Sequence, residues 1–244
     1  MKNNTVISVS IIAIAVIISA AIIAGVLKKR INDKHRLYVK GVCTRDFKSD
    51  LIVWEGEFES TSNNLQEAYA KLQRDKNIVY NYLKKEGLSD TEIVFKAIDV
   101  SKIYDDQYDK EGNLHSVFQG YKLTEGIEIT SRDVEKIENI SRKITELFGQ
   151  DVYFTSYAPR YYYTKLNDLK IAMIADATKN ARQRAEQIVK NAGGNLGSLI
   201  SAKLGVFQIV GQYSDEDYTW GGTFNTSSKY KTASITVSLV FIVK

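Results

Sequence analysis

The chain has 244 residues, 44% of them hydrophobic and 25% charged, with one Pro and one Cys. This is a globular composition, neither disordered nor collagen-like; one cysteine cannot form an internal disulfide, and two histidines beside it leave no ligand set for a Cys/His zinc site. The net charge of +4 sits in one short stretch, where Lys28, Lys29, Arg30, Lys34 and Arg36 face only Asp33, so the remainder has no basic face and no nucleic-acid partner is expected.

Residues 6–27, VISVSIIAIAVIISAAIIAGVL, carry no charge, and their only polar side chains are Ser8, Ser10 and Ser19. As a helix this run rises ~33 Å, enough to cross a hydrocarbon core of ~30 Å. The apolar region of a signal peptide is shorter, roughly 7–15 residues, and the run offers no clean small-x-small cleavage site. An uncleaved signal-anchor over residues 1–30 is therefore expected, with a cleaved signal peptide and a buried core helix as competing readings. Lys28, Lys29 and Arg30 follow the span, so the positive-inside rule places the downstream domain in the cytoplasm, although long domains translocate regardless of such a bias.

Residues 31–36 form a polar linker, and residues 37–244 suit one domain, or two lobes sharing a core. Leu37–Phe47 and Leu51–Ser60 predict two strands around a turn at Lys48-Ser49-Asp50. Asn63 with Gln66 three residues on suggests a capped helix start. The helix carries Leu65, Ala68, Tyr69, Leu72, Val79 and Leu83 on one face and stops at Gly87. Glu92–Tyr104 predicts a strand, Asp105–Asn113 a hairpin, and the return strand places Val117, Tyr121, Leu123, Ile127 and Ile129 on one parity. A second helix spans 132–148, with Ile137, Ile140, Ile144, Leu147 and Phe148 on one face. Val152–Tyr163 is a strand around Pro159. A long helix runs over 166–192 to Gly193-Gly194, and Leu199–Gln212 and Lys231–Val243 are the last strands. The order ββ-α-ββ-α-β-α-ββ predicts an α+β fold, a mostly antiparallel sheet with helices packed on it, preceded by an N-terminal transmembrane helix. Its middle part is similar to a split βαβ arrangement.

Several stretches together resemble the SIMPL-domain family of mostly bacterial exported proteins. They are Leu37-Tyr38-Val39-Lys40-Gly41 at the start and Gly87-Leu88-Ser89-Asp90-Thr91-Glu92-Ile93 after the first helix. Gly120-Tyr121 follows on the fourth strand. Then come Ala172, Ala175, Ala177, Ala181 and Ala185 before Gly194-Asn195-Leu196-Gly197, and Ile235-Thr236-Val237-Ser238-Leu239-Val240-Phe241 at the end. The resemblance covers residues 37–244. It departs from the family over Trp220–Lys229, where the expected proline is missing. It implies a periplasmic or envelope protein with a link to oxidative-stress defence, and in some members ring-like or channel-like assemblies. The family has no established catalytic residues to carry over.

The residues themselves offer few chemical candidates. His115 lies near Asp105, Asp106, Asp109 and Glu111, but a calcium loop counted from Asp105 would have Lys110 and Ser116 where Gly and Glu are needed, so a solvated hairpin tip is the plainer reading. Cys43 shares its strand parity with Arg45, which could lower the thiol's pKa; an inert, half-buried thiol is the alternative. Gly193-Gly194-x-x-Gly197 follows a helix, so it reads as a C-cap rather than a phosphate loop. Tyr161-Tyr162-Tyr163 invites a ligand-stacking reading, but ordinary strand sequence is the plainer one, with a subunit interface as the favoured exception. The alanine row on the long helix packs either on its own sheet or on another subunit. We thus expect no catalytic, metal or cofactor residues and no cofactor. The expected protein is single-pass, held in the cell membrane through residues 6–27, with its domain extracytoplasmic. It would be non-enzymatic, a homo-oligomer, and active through self-assembly or binding of an unidentified protein. The rivals are an envelope enzyme with an unlocated carboxylate site and a cytoplasm-facing adaptor.

Overall fold

The computed structural model describes residues 14–24, 35–108 and 112–244. Residues 14–24 are helical (α1), with Ile14, Ile17, Ile22 and Ile23 exposed and Ser19 Oγ donating to the Ala15 carbonyl at 2.8 Å. Among the described residues no helix is long and apolar enough to cross a membrane. The rest of the expected 6–27 span lies outside the described residues.

Strands β1 (Arg36–Lys48), β2 (Leu51–Ser62), β3 (Ile93–Tyr108), β4 (Leu114–Ser131), β5 (Tyr153–Ser156), β6 (Arg160–Tyr162), β7 (Leu196–Leu204), β8 (Gln208–Gly211) and β9 (Tyr230–Val243) alternate with helices α2 (Leu65–Lys85), α3 (Val134–Lys143) and α4 (Leu166–Asn191). The α+β class and antiparallel pairing hold, but the strands make two sheets rather than one. The first has the order β1-β9-β7, with β8 also on β9; the second runs β3-β4-β2-β5, with β6 also on β2. The turn at Lys48-Ser49-Asp50 is therefore no hairpin. β1 pairs with β9 along its length and β2 with β4, so the chain crosses from one sheet to the other through Ser49 and Asp50. That crossing is fixed by Ser49 N–H to the Lys229 carbonyl, Asp50 N–H to the Tyr162 carbonyl, and Thr164 N–H and Oγ1 to the Asp50 carboxylate. The second sheet with α2 and α3 is the split βαβ arrangement.

Each sheet has its own core. On β2, Ile52, Trp54, Phe58 and Ser60 point inward at every second position, onto the Ala68, Leu72, Val79 and Leu83 row of α2 and onto Ile137, Ile140 and Ile144. Its outer face is solvated, with Lys122 paired to Glu59 and Lys96 and Arg160 to Glu55. The helix cap is Asn64, one residue past the expected Asn63; its side chain accepts from the N–H groups of Gln66 and Glu67. Leu65 and Tyr69 were expected in the core but are exposed, because the first turns of α2 overhang a part of the sheet that nothing else covers. The expected 132–148 helix is α3 followed by a 3-10 turn over Ile144–Gln150, which leaves Phe148 at the surface. Val152–Tyr163 divides into β5 and β6 around Pro159, and Leu199–Gln212 into β7 and β8 around Gly205, whose N–H still bonds the Thr236 carbonyl.

In the first sheet, Val39, Ile235, Val237, Leu239 and Phe241 meet a buried row on α4 at a spacing of four: Met173, Ala177, Ala181, Ala185 and Val189. The alanines bring the helix close to its own sheet. A Cβ at Gly41 would lie 2.1 Å from the Ala177 carbonyl oxygen and 2.5 Å from the Ala181 nitrogen. The intersubunit reading of this row is thereby replaced: Ala181 and Ala185 are core residues of their own lobe. Gly193 takes φ 77°, and its N–H and that of Gly194 bond the carbonyls of Lys190 and Val189, a helix C-cap.

Candidate functional site

The lobes meet at a polar joint. Tyr161 on β6 donates its hydroxyl to Glu138 of α3 at 2.6 Å, and Lys229 Nζ donates to the other Glu138 oxygen at 2.6 Å. Burial pushes the Glu138 carboxyl up, but Lys229 and Tyr161 together hold it below its ordinary value. Burial first and then Glu138 push the Tyr161 hydroxyl up. Lys231, 1% exposed on β9, donates to the Tyr161 carbonyl at 2.5 Å. Burial pushes its ammonium down to about 8 against an opposing pull from Glu216. Of the three consecutive tyrosines, Tyr161 thus ties the lobes together and Tyr163 packs on Phe47 at 5.0 Å. They are joint residues rather than a ligand platform.

Above the joint, residues 212–229 form a loop on a rigid base. The Gln208 side chain donates to the Thr219 carbonyl at 2.7 Å and accepts from Thr223 N–H at 2.8 Å. Glu216 accepts from Gly211 N–H and from the Asn225 amide, and Asn225 accepts from Ser228 N–H. This base holds out Tyr213, Tyr218 and Trp220, and Trp220 is 100% exposed. In the sequence this segment stands out for its missing proline. Two aromatics beside Asp215-Glu216-Asp217 and Gly221-Gly222 were the available signal, and the role of Gln208 had none.

A further exposed apolar surface is the β3–β4 arm. Tyr104 and Phe118 lie 5.9 Å apart and Phe118 and Tyr121 5.2 Å, both edge to face. Val100, Tyr108 and Leu114 extend the same face into solvent. The expected single parity of β4 fails at Val117 because the register shifts between the pairs Ile103–Gly120 and Tyr104–Phe118, which turns Phe118 rather than Val117 toward Tyr121. Gly120 permits this. It takes φ 151°, and a Cβ there would lie 2.6 Å from the Ser62 carbonyl. At the root of the arm, Leu65, Gln66, Tyr69, Ile98, Val100 and Leu123 line an open cleft of about 400 Å³.

The outer edge of β1 is closed to strand addition. Val42 N–H donates to Asn180 Oδ1 at 3.3 Å, and Arg184 donates to the Lys40 carbonyl at 3.2 Å, both from α4. The edge of β8 is covered by hydrogen bonds between Ile209 and residues Thr223 and Asn225.

The remaining candidates disperse. Asp105 accepts from Gln107 and Asp106 from Ser116, on opposite faces of the arm; His115 pairs in register with Gln107; Asp109 and Glu111 lie outside the described residues. Among the described residues no group of three or more His, Cys, Asp or Glu is placed to hold a metal. Cys43 is half-buried, and Arg45, 2.5 Å from Asp176, does not activate it; burial and then Asp176 push the thiol up against the opposing pull of Arg45. A polar cleft holds Glu92 and Asp133, but both cap local turns: Glu92 accepts from Ser89, and Asp133 from Lys136 N–H.

The family model for SIMPL, described as a protein of unknown function (DUF541), matches residues 37–241. The chain belongs to the SIMPL family. No curated protein matches it. The SIMPL match takes in both lobes, the joint, the arm and the Trp220 loop, and ends within β9.

Proposed function

We propose that this SIMPL protein is a membrane-anchored, non-enzymatic component of the cell envelope that works by self-association or by binding another protein. The observation that carries this reading is a pair of exposed aromatic-rich surfaces, the face of the β3–β4 arm and the Trp220 loop; Leu199, Ile200 and Leu204 on β7 are exposed as well. The anchor is argued from the charge-free run 6–27. It is supported by α1, whose isoleucines are exposed all round and whose Ser19 hydroxyl is satisfied within the helix. The domain lies outside the cytoplasmic membrane on this reading, with a role in envelope or oxidative-stress defence as the resemblance implies.

The rival orientation, a cytoplasm-facing adaptor, is favoured by Lys28, Lys29 and Arg30. Labelling separates the two. With Cys43 changed to Ser and Asn113 to Cys at the arm tip, a membrane-impermeant maleimide should label intact cells or outer-membrane-permeabilised cells. Labelling only after the inner membrane is broken supports the adaptor instead. Retention of the chain in the membrane pellet after carbonate washing tests the anchor separately.

A further inference from the structure

The two apolar surfaces differ in shape and lie on different lobes. One is a projection: Trp220, fully exposed, with Tyr213 and Tyr218 beside it, on a base fixed by Gln208, Glu216 and Asn225. The other is a recess, the cleft of about 400 Å³ where the first turn of α2 overhangs β3 and β4. Its walls are almost wholly apolar, and it continues outward along Tyr121, Phe118 and Tyr104. A rigid aromatic side chain is the residue type that carries the most contact energy at an interface, provided it enters a desolvated pocket.

We infer that Trp220 of one copy seats in the Leu65–Tyr69–Val100–Leu123 cleft of the next. This deepens the self-association reading above and rests on it. Size fits: the recess has room for one large aromatic ring. Charge fits as well. Asp215 and Asp217 flank the projecting loop as exposed carboxylates, and exposed Lys102 stands on the cleft face, two residues along β3 from Val100 and opposite Tyr121; Asp106, on the same face, lies four residues further out and accepts from Ser116. The Gln208 frame means that the loop loses little freedom on docking. Projection and recess are different patches and each copy offers one of each, so the contact closes as a reciprocal two-fold pair where both can seat at once and runs head to tail where they cannot.

The test uses the full chain in mild detergent. Trp220 is fully exposed and Trp54 fully buried, so acrylamide quenching of tryptophan emission reports chiefly on Trp220. Quenching should be lost as protein concentration rises and copies assemble, and Val100→Glu, which places a carboxylate in the recess, should restore it. Trp220→Ala removes no core contact and should keep the wild-type circular dichroism and melting while remaining monomeric. Mixing the two variants gives the decisive reading. Val100→Glu keeps its projection and Trp220→Ala keeps its recess, so the mixture should form 1:1 pairs that neither variant forms alone. The inference is overturned, with self-association intact, if either variant assembles like wild type, if Trp220 stays quenchable in the assembly, or if the mixture stays monomeric. Trp220 protected at the lowest concentration in both wild type and Val100→Glu would overturn it in favour of an amphiphile surface. A wild-type chain that is monomeric throughout would overturn the self-association reading and this contact together.

Discussion

Gly41 lies directly beneath Ala177, so close that a Cβ on Gly41 would fall 2.1 Å from the Ala177 carbonyl oxygen. Strand β1 and helix α4 are in backbone contact there, and Ala181 is the next residue along the seam. Gly41→Ala must force the two elements apart, and Ala181→Leu overpacks the same seam. Overpacking of this kind costs about 1–3 kcal/mol, occasionally more. Both variants should lower the midpoint of urea unfolding and leave subunit number at a given folded concentration unchanged. A change of subunit number in Ala181→Leu with unaltered stability would return the alanine row to an intersubunit role.

Asp75 occupies a core position of α2 with no exposed surface; Arg74 takes one carboxylate oxygen and the other has no partner among the described residues. A buried carboxylate held on one side only is a poor contributor to stability. Asp75→Leu should be neutral or stabilising by about 1–4 kcal/mol in urea unfolding. A loss of stability would mean that Asp75 has a compensating partner in solution.

Lys231 gives the joint a pH dependence. Its folded-state pKa is pushed from its ordinary value down to about 8 by burial. Between pH ~8 and ~10.4 the unfolded chain therefore holds a proton that the folded chain has released, so this group makes stability rise with pH across that window, by at most ~3 kcal/mol. Above pH ~10 the raised pKa of Tyr161 acts in the opposite sense, since unfolded tyrosine ionises first. The stability difference between wild type and Lys231→Met, measured at pH 7.5 and 9.5, should move in favour of wild type at the higher pH. An unchanged difference would show that Lys231 titrates normally.

Cys43 should be a slow thiol. With its pKa raised by burial and by Asp176, its alkylation by iodoacetamide at pH 7.5 should run below that of a free thiol. Asp176→Asn removes one cause of the shift and releases Arg45, so it should speed the reaction. A wild-type rate above that of free cysteine would point to an activated thiol.

The sequence carried the elements better than their assembly. Alternation on β2 and β9, the Ala68–Leu72–Val79–Leu83 row and the α4 alanines are periodic signals that tertiary packing obeys. The division into two sheets had no such signal, because two residues, Ser49 and Asp50, can close a hairpin or pass a chain between sheets, and only the pairing of β1 with distant β9 decides. The slip at Gly120 is likewise a single inserted residue, invisible to parity counting and set by the approach of Ser62. Exposure was misjudged for Leu65 and Tyr69, since a helix pattern does not record where the sheet beneath loses its cover. The Trp220 loop was harder still. Its shape comes from Gln208 and Asn225, whose side chains bond backbone groups several residues away.

Self-association is the half of the proposed function that the Trp220 contact rests on. Sedimentation velocity of the full 27.5 kDa chain in density-matched mild detergent, over a wide concentration range, measures that directly. We predict a protein mass that rises from one copy to several with concentration, and that stays at one copy in Trp220→Ala. A protein mass of one copy at every concentration would contradict self-association and the Trp220 contact with it.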